Sequence, residues 1–298
     1  MFKKVSYHGW ENCYQLSNGT IELIVTGDVG PRIIHFGFVG GENEFVTVED
    51  HLGKTGGDEW RVYGGHRLWH APENLPRTYT PDNYPVKEAD YVDGVLHVVQ
   101  ETEAPTGIQK QLWITMDAQQ PKVTIKHRLT NHNAWAVEFA PWALSVMAKG
   151  GTSIIPLPPR GPHAGNLLPK NTLSLWAYTD FSDPRWTLGR QYFLLRQGND
   201  SPQKVGAWVP DGWLAYVRNE HLFIKTFGAI EGAGYPDMGC NAEIYTDWNI
   251  LELESLAPLS KIEPGDFAEL EETWSLYDGI PTPQNDADVT EWVIPRLS

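Results

Sequence analysis

The chain has 298 residues, 41 % of them hydrophobic and 20 % charged, and carries a formal net charge of -15 from 23 basic and 38 acidic side chains. That length suits one large domain with a sizeable core, and the acidic balance argues against nucleic acid or an anionic membrane surface as partner, since both are recognised by basic patches. No window approaches a membrane span, the residues after Met1 are polar with no apolar leader, and the two cysteines, Cys13 and Cys240, show no metal-binding spacing; a reduced, cytoplasmic protein with no cofactor and no metal is the expectation.

Taken in order, the chain reads as short strands separated by turn signals. Thr20 to Val25 is β-rich, Gly27 to Pro31 turns, and Arg32 to Val39 follows as a buried strand; Gly40 to Asn43 turns again into Glu44 to Val48. His51 to Glu59 is a polar loop. Tyr63 to Glu73 then packs two histidines, an arginine, a carboxylate and an indole behind a Gly64-Gly65 pair. Read as extended chain, it sets His66, Leu68 and His70 on one face and Arg67, Trp69 and Ala71 on the other. The proline-rich segment 72–85, with Tyr79 and Tyr84, has the composition of an irregular surface that lines a site.

Hairpins follow. Residues 87–91 and 95–102 flank Asp93-Gly94, a tight-turn pair, and residues 108–116 and 122–129 form the next two strands. Ala136 to Met147 is apolar but contains Pro141, which predicts an edge strand or a bulge. Residues 150–171 are a long proline- and glycine-rich loop holding His163. Strand character resumes over 173–178, 191–196, 204–209, 213–218 and 221–227, pauses in the glycine-rich 231–241, and returns over 242–245, 249–255 and 266–277. The tail from about residue 279 is expected to be irregular. No stretch keeps a helical period over three turns. These patterns describe an all-β protein: one domain over residues 1–298, built as a large antiparallel two-sheet β-sandwich.

Thirteen Trp and twelve Tyr are many for this length. Aromatics fill sandwich cores, and their flat faces also stack on the apolar C–H faces of sugars. Three segments together resemble the galactose-mutarotase-like superfamily. Gly27-Asp28-Val29-Gly30-Pro31-Arg32-Ile33-Ile34-His35-Phe36 looks like its early Gly-x-x-Ile strand. Gly64-Gly65-His66-Arg67-Leu68-Trp69 is similar to the segment that supplies a sugar-contacting arginine in aldose 1-epimerases; extended to His70-Ala71-Pro72-Glu73, it resembles a branch distinct from the epimerases proper. Leu253-Glu254-Ser255-Leu256-Ala257-Pro258, with Ile262-Glu263-Pro264-Gly265 and Trp274, looks like the C-terminal strand that carries the catalytic glutamate. The resemblance spans about residues 20–277 and implies the sandwich fold and a small-molecule carbohydrate as ligand. The Leu-Thr-Asn segment that precedes the acid histidine of aldose 1-epimerases is present as Leu129-Thr130-Asn131, with His132 at once after it. Two departures stand out. Ala140-Pro141-Trp142-Ala143 stands where sugar-phosphate epimerases carry His-Pro-Tyr-Phe. The Leu-His-Gly-Gly motif is absent.

Anomer interconversion needs a base to take the anomeric hydroxyl proton and an acid to protonate the ring oxygen. Through the resemblance Glu254 is the base, with Glu252 on the same strand face and Leu251 and Leu253 opposite. His66 and His70 are the candidate acids. Arg67 is suited to paired hydrogen bonds with a sugar; Trp69, Trp142 and Trp176 are candidate stacking plates, with Glu73, Glu252 and His163 as further ligand contacts. A zinc site at His66 and His70 is disfavoured, because i and i+4 on a strand lie roughly 13 Å apart. A non-catalytic carbohydrate-binding protein, and an isomerase, lyase or glycoside-cleaving reaction on the same scaffold, with or without a metal, are the alternatives.

Overall fold

The computed structural model describes residues 1–198 and 201–297. Two antiparallel sheets face each other. The first runs β1 (Phe2–Tyr7), β2 (Trp10–Ser17), β3 (Ile21–Thr26), β4 (Arg32–Phe38), β5 (Gly65–Ala71), β10 (Val137–Met147), β19 (Leu251–Leu256), β18 (Ala242–Thr246), β15 (Gln203–Ala207) and β12 (Leu173–Leu175), with β20 (Ser260–Ile262) paired to the start of β10. The second runs β13 (Trp186–Leu188), β14 (Tyr192–Arg196), β11 (Thr152–Pro156), β16 (Trp213–Arg218), β17 (His221–Phe227), β21 (Phe267–Tyr277), β9 (Lys122–Asn131), β8 (Ile108–Met116), β7 (Val95–Val99) and β6 (Glu88–Val92). The two-sheet sandwich expected from the sequence is the fold. Among the described residues no helix is long and apolar enough to cross a membrane. Cys13 and Cys240 are free, buried thiols.

Local chemistry accounts for the joints. The Asp93-Gly94 pair turns β6 into β7 with φ of 51° and 85°, and Asn219-Glu220 does the same between β16 and β17 with 50° and 63°, the left-handed geometry that two-residue hairpins require. Gly64 and Gly65 (φ 101° and 72°) admit β5 to the sheet: a Cβ on Gly65 would sit 2.4 Å from the Ile33 carbonyl oxygen, and one on Gly64 2.0 Å from that of Val46.

Four expectations change. The stretch 150–171, expected as one long loop, opens with strand β11, which pairs with β14 and β16. Pro141 lies in a central strand rather than at an edge or bulge. It falls where β10 exchanges partners, from β20 at Val137–Phe139 to β19 at Trp142–Met147, while β5 holds the other side. The proline's missing N–H costs little at such a junction. Glu44 to Val48 makes only isolated bridges, Phe45 with Met147 and Thr47 with Gly64. The tail is not irregular throughout. Short helical turns run from Asp286 to Arg296, opened by Asn285, whose side-chain oxygen accepts from the Ala287 and Asp288 N–H groups. Val289 and Val293 pack there with Ile154, Trp213 and Ile224 of the second sheet.

The main core fills the space between the sheets. At its centre Trp274 meets Phe36, Phe45 and Phe223 edge-on, with ring centroids 5.5, 5.4 and 5.7 Å apart. Its indole N–H donates to Glu272 Oε2 at 2.9 Å. Trp274→Ala is expected to lower unfolding stability by about 3–5 kcal/mol, read as a shift in the urea midpoint at unchanged slope; a shift within error would mean that the ring is not an anchor of this core.

Candidate functional site

The outer face of the first sheet is polar where an all-β surface would ordinarily pack or face water, and register explains how. Directly opposed residues in adjacent antiparallel strands project to the same side. Arg67 of β5 opposes Leu144 of β10, which opposes Glu254 of β19, which opposes Glu243 of β18. One step along, Glu252 opposes Tyr245, which opposes Lys204 of β15. Trp69 and Trp142 form the next row. Five neighbouring strands, four of them carrying these side chains, thus bring Arg67, Lys204 and three glutamates onto one face.

These groups sit at and below a cleft of about 710 Å3. Trp60, Trp69, Trp142, Tyr79, Tyr178 and Tyr245 supply most of its aromatic wall. Trp69 and Trp142 meet at 5.3 Å and 72°, and Tyr79 meets Trp69 at 5.0 Å. The Arg67 guanidinium lies 4.4 Å from the Trp69 ring centre and donates to Glu252 Oε1 at 2.9 Å, while its Nε and second terminal nitrogen have no partner. Glu73, at the rim, accepts from the Tyr79 hydroxyl.

Deeper, the Lys204 ammonium donates to Glu254 Oε2 at 3.0 Å and pairs with Glu243 Oε2 at 2.7 Å. Trp142 Nε1 donates to the same Glu254 oxygen at 2.9 Å. Glu254 Oε1 is buried without a hydrogen-bond partner. Burial pushes the Glu243 carboxyl well above the usual range, with Lys204 opposing the shift and the Glu254 charge adding to it. Glu252 is also raised, by burial first, against the pull of Arg67. Burial alone would depress Lys204, but the charges of Glu243 and Glu254 hold it well above an ordinary lysine. Three carboxylates share two cations on this face, and the shortfall is one reason two of them resist ionisation.

The alternation expected along β5 is present, and it parts the residues singled out from the sequence. Arg67 and Trp69 face the cleft together with Trp142, Glu252 and Glu73; Glu254 lies on the same face, fully buried beneath Lys204 and Trp142. His66 and His70 do not join them. Among the described residues no histidine lines this cleft. His163 is exposed, in a short turn over His163–Gly165. Sequence reasoning missed Lys204, Glu243 and Tyr245. The alternation of Ala242-Glu243-Ile244-Tyr245 was a usable signal for two of them, and a lone lysine at the head of the apolar run Val205 to Val209 for the third.

His66 points instead into the space between the sheets. Its Nε2 lies 2.8 Å from His127 Nε2, and its Nδ1 2.9 Å from Ser145 Oγ. His127 Nδ1–H donates to the Leu270 carbonyl at 3.0 Å. That assigns the tautomers in turn: His127 Nε2 accepts from His66 Nε2–H, and His66 Nδ1 accepts from the Ser145 hydroxyl. Lys225 Nζ donates to Ser145 Oγ and lies 2.7 Å from Glu272 Oε1. His66, His127 and Glu272 are the residues whose spacing suits a metal, their ligand atoms falling within 4.8 Å of one another. However, Lys225 and Trp274 already occupy the two Glu272 oxygens, and the imidazoles are bonded to each other, so the donor set is that of a closed hydrogen-bonded network. Burial first, then the nearby charges, draws His66 well below an ordinary histidine.

With the geometry described, the chain can be compared with known proteins. No family model and no curated protein matches the sequence. Solved structures do. A TPR-domain containing protein from Parabacteroides distasonis superposes over 91 % of this chain with a TM-score of 0.61 and 13 % identity, and this chain spans 48 % of that protein. A protein provisionally named aldose 1-epimerase, from Klebsiella pneumoniae, matches 97 % of this chain and 84 % of its own at a TM-score of 0.61 and 12 % identity. The chain has the galactose-mutarotase-like fold. A protein so described, from Lactobacillus casei, matches 89 % of this chain and all of its own length at a TM-score of 0.56 and 8 % identity. At such identities the likeness is one of fold.

His70 offers a test of the inter-sheet assignment. It is 1 % exposed, and neither ring nitrogen has a hydrogen-bond partner. Burial, with Lys110 and Arg77 adding, draws its pKa down to about 3, against roughly 6.5 unfolded. Between those values the unfolded chain binds a proton that the folded chain refuses. The group costs nothing above about pH 6.5, and the folded state loses about 1.4 kcal/mol per pH unit below it. Urea unfolding of the parent and of His70→Gln at neutral pH and near pH 5 should show the parent losing ground to the variant as pH falls. A pH-independent difference would mean that His70 is readily protonated in the folded protein.

Proposed function

We propose that the cleft binds a small carbohydrate and exchanges protons with it through the carboxylates of β19, the chemistry of anomer interconversion. The observation that carries this reading is the grouping of Arg67, Glu252 and Glu254 on one sheet face under aromatic plates. Flat indole and phenol faces suit the C–H faces of a sugar, and the two unpartnered Arg67 nitrogens suit adjacent hydroxyls. The galactose-mutarotase-like fold and the resemblance of the Arg67 and Glu254 segments to aldose 1-epimerases support the same reaction class.

In this reading the base is Glu254. Its Oε2 is engaged by Lys204 and Trp142, which leaves Oε1 to accept a proton. The acid is not a histidine. Glu252 lines the cleft two residues away on the same face, and its raised pKa suits it to deliver a proton to the ring oxygen. Arg67 then holds Glu252 and the sugar in register.

A second reading, a non-catalytic carbohydrate-binding protein, is favoured by one feature: Glu254 is fully buried, so a ligand reaches it only if Lys204 or Trp142 gives way.

Polarimetry and NMR exchange measurements with common aldoses separate the two. The first reading expects acceleration over buffer, with Glu254→Gln and Glu252→Gln each reducing it by about 10²–10⁴-fold and Arg67→Met mainly weakening binding. Binding by calorimetry with no acceleration would establish the second reading in its place.

A further inference from the structure

The cleft does not end at Lys204. A second hollow of about 420 Å3 opens beyond it, and Glu73, Tyr79, Trp142 and Lys204 wall both. The Lys204 ammonium lies 5.0 Å from the Trp142 ring centre and 4.7 Å from that of Trp176. It therefore forms a waist, with one indole toward each side. The second hollow has walls of its own in Asn74, Leu75, Trp176 and Asp237.

Those walls are built and polar. Asp237 and Met238 both have left-handed backbones, with φ of 49° and 66°, which side chains other than glycine adopt only when held. Here Ser174 Oγ donates to the Asp237 carbonyl at 2.6 Å, and the Cys240 thiol donates to the same oxygen. Among the described residues, the Asp237 carboxylate, the Asn74 carboxamide and the Trp176 indole N–H make no hydrogen bond. Beside them Leu75 is 75 % exposed. An aromatic plate, an apolar neighbour and three free polar groups are the furniture of a sugar subsite.

Charge narrows the ligand. Among the described residues the single cation of the second hollow is Lys204, and Glu243 and Glu254 already match its charge. Glu73 and Asp237 add negative charge. A phosphate or uronate would find no free cation there, whereas hydroxyl groups would find both donors and acceptors.

We infer that the second hollow is a subsite for a second ring, and that the ligand is a neutral reducing disaccharide whose reducing ring lies over Glu252 and Glu254. The inference rests on the carbohydrate reading of the cleft and deepens it.

Calorimetry with the parent protein tests it, comparing glucose and galactose with maltose, cellobiose and lactose. At least one disaccharide should bind about tenfold or more tightly than its own reducing-end monosaccharide. That ratio should fall toward one in Trp176→Ala and in Asp237→Asn, the second variant chosen because asparagine tolerates the left-handed backbone. Thermal melting confirms that each variant is folded. Monosaccharide binding with no disaccharide advantage, or an advantage that both variants keep, overturns the subsite and leaves the cleft reading intact. No binding of any of these sugars to the parent overturns both.

Discussion

Behind the floor of the cleft, with neither side chain exposed, the Lys225 ammonium meets the Glu272 carboxylate at 2.7 Å. This pair anchors the two strands that floor the site. Lys225 also donates to the backbone carbonyls of Leu253 at 3.1 Å and Ala143 at 3.4 Å. Leu253 lies between Glu252 and Glu254, and Ala143 between Trp142 and Leu144, so the two floor strands are tied down at the residues that flank the functional ones. Glu272 takes a further hydrogen bond from Ser255, next along β19. Stripping two charges of water costs several kcal/mol per ion, and good geometry with extra hydrogen bonds offsets it. Such an arrangement fixes position more than it adds stability.

The front of the sheet poses the complementary problem. Arg67 with Glu252 lies at the mouth, and Lys204 with Glu243 and Glu254 lies beneath. In a low-dielectric setting one uncompensated carboxylate is expensive, and the raised pKa values of Glu243 and Glu252 show where a proton makes up the difference.

Much of this was legible in the sequence, and the gaps have physical reasons. Turn chemistry at Asp93-Gly94 and Asn219-Glu220, with apolar runs between, defines the hairpins. Parity along Leu251 to Glu254 correctly separates the two glutamates from the two leucines. Parity along β5 likewise separates His66 from Arg67, but it does not say which face opens to a ligand. Every residue of Gly65–Ala71 is buried, because a central strand of a sandwich is covered on both sides, so neither face looks wet. The histidines read as functional because polar groups are rarely placed in a core; here both are in the core, His66 satisfied by His127 and Ser145 and His70 without a hydrogen-bond partner. The contributions of β15 and β18 escaped because the pattern within each strand does not say that β19 joins them to β10 and β5 on one face.

Over its first four residues β19 carries its glutamates forward and its leucines backward along one unbroken register. A single residue inserted or deleted within it would swap the faces, turning Leu251 and Leu253 toward the cleft and Glu252 and Glu254 into the core. Chemistry and folding are written in alternate letters of the same word. In this chain the spacing of the site is therefore inherited with the core and changes only if the core changes, whereas the identity of each forward-facing residue, and the loops that rim the cleft, are free to diversify.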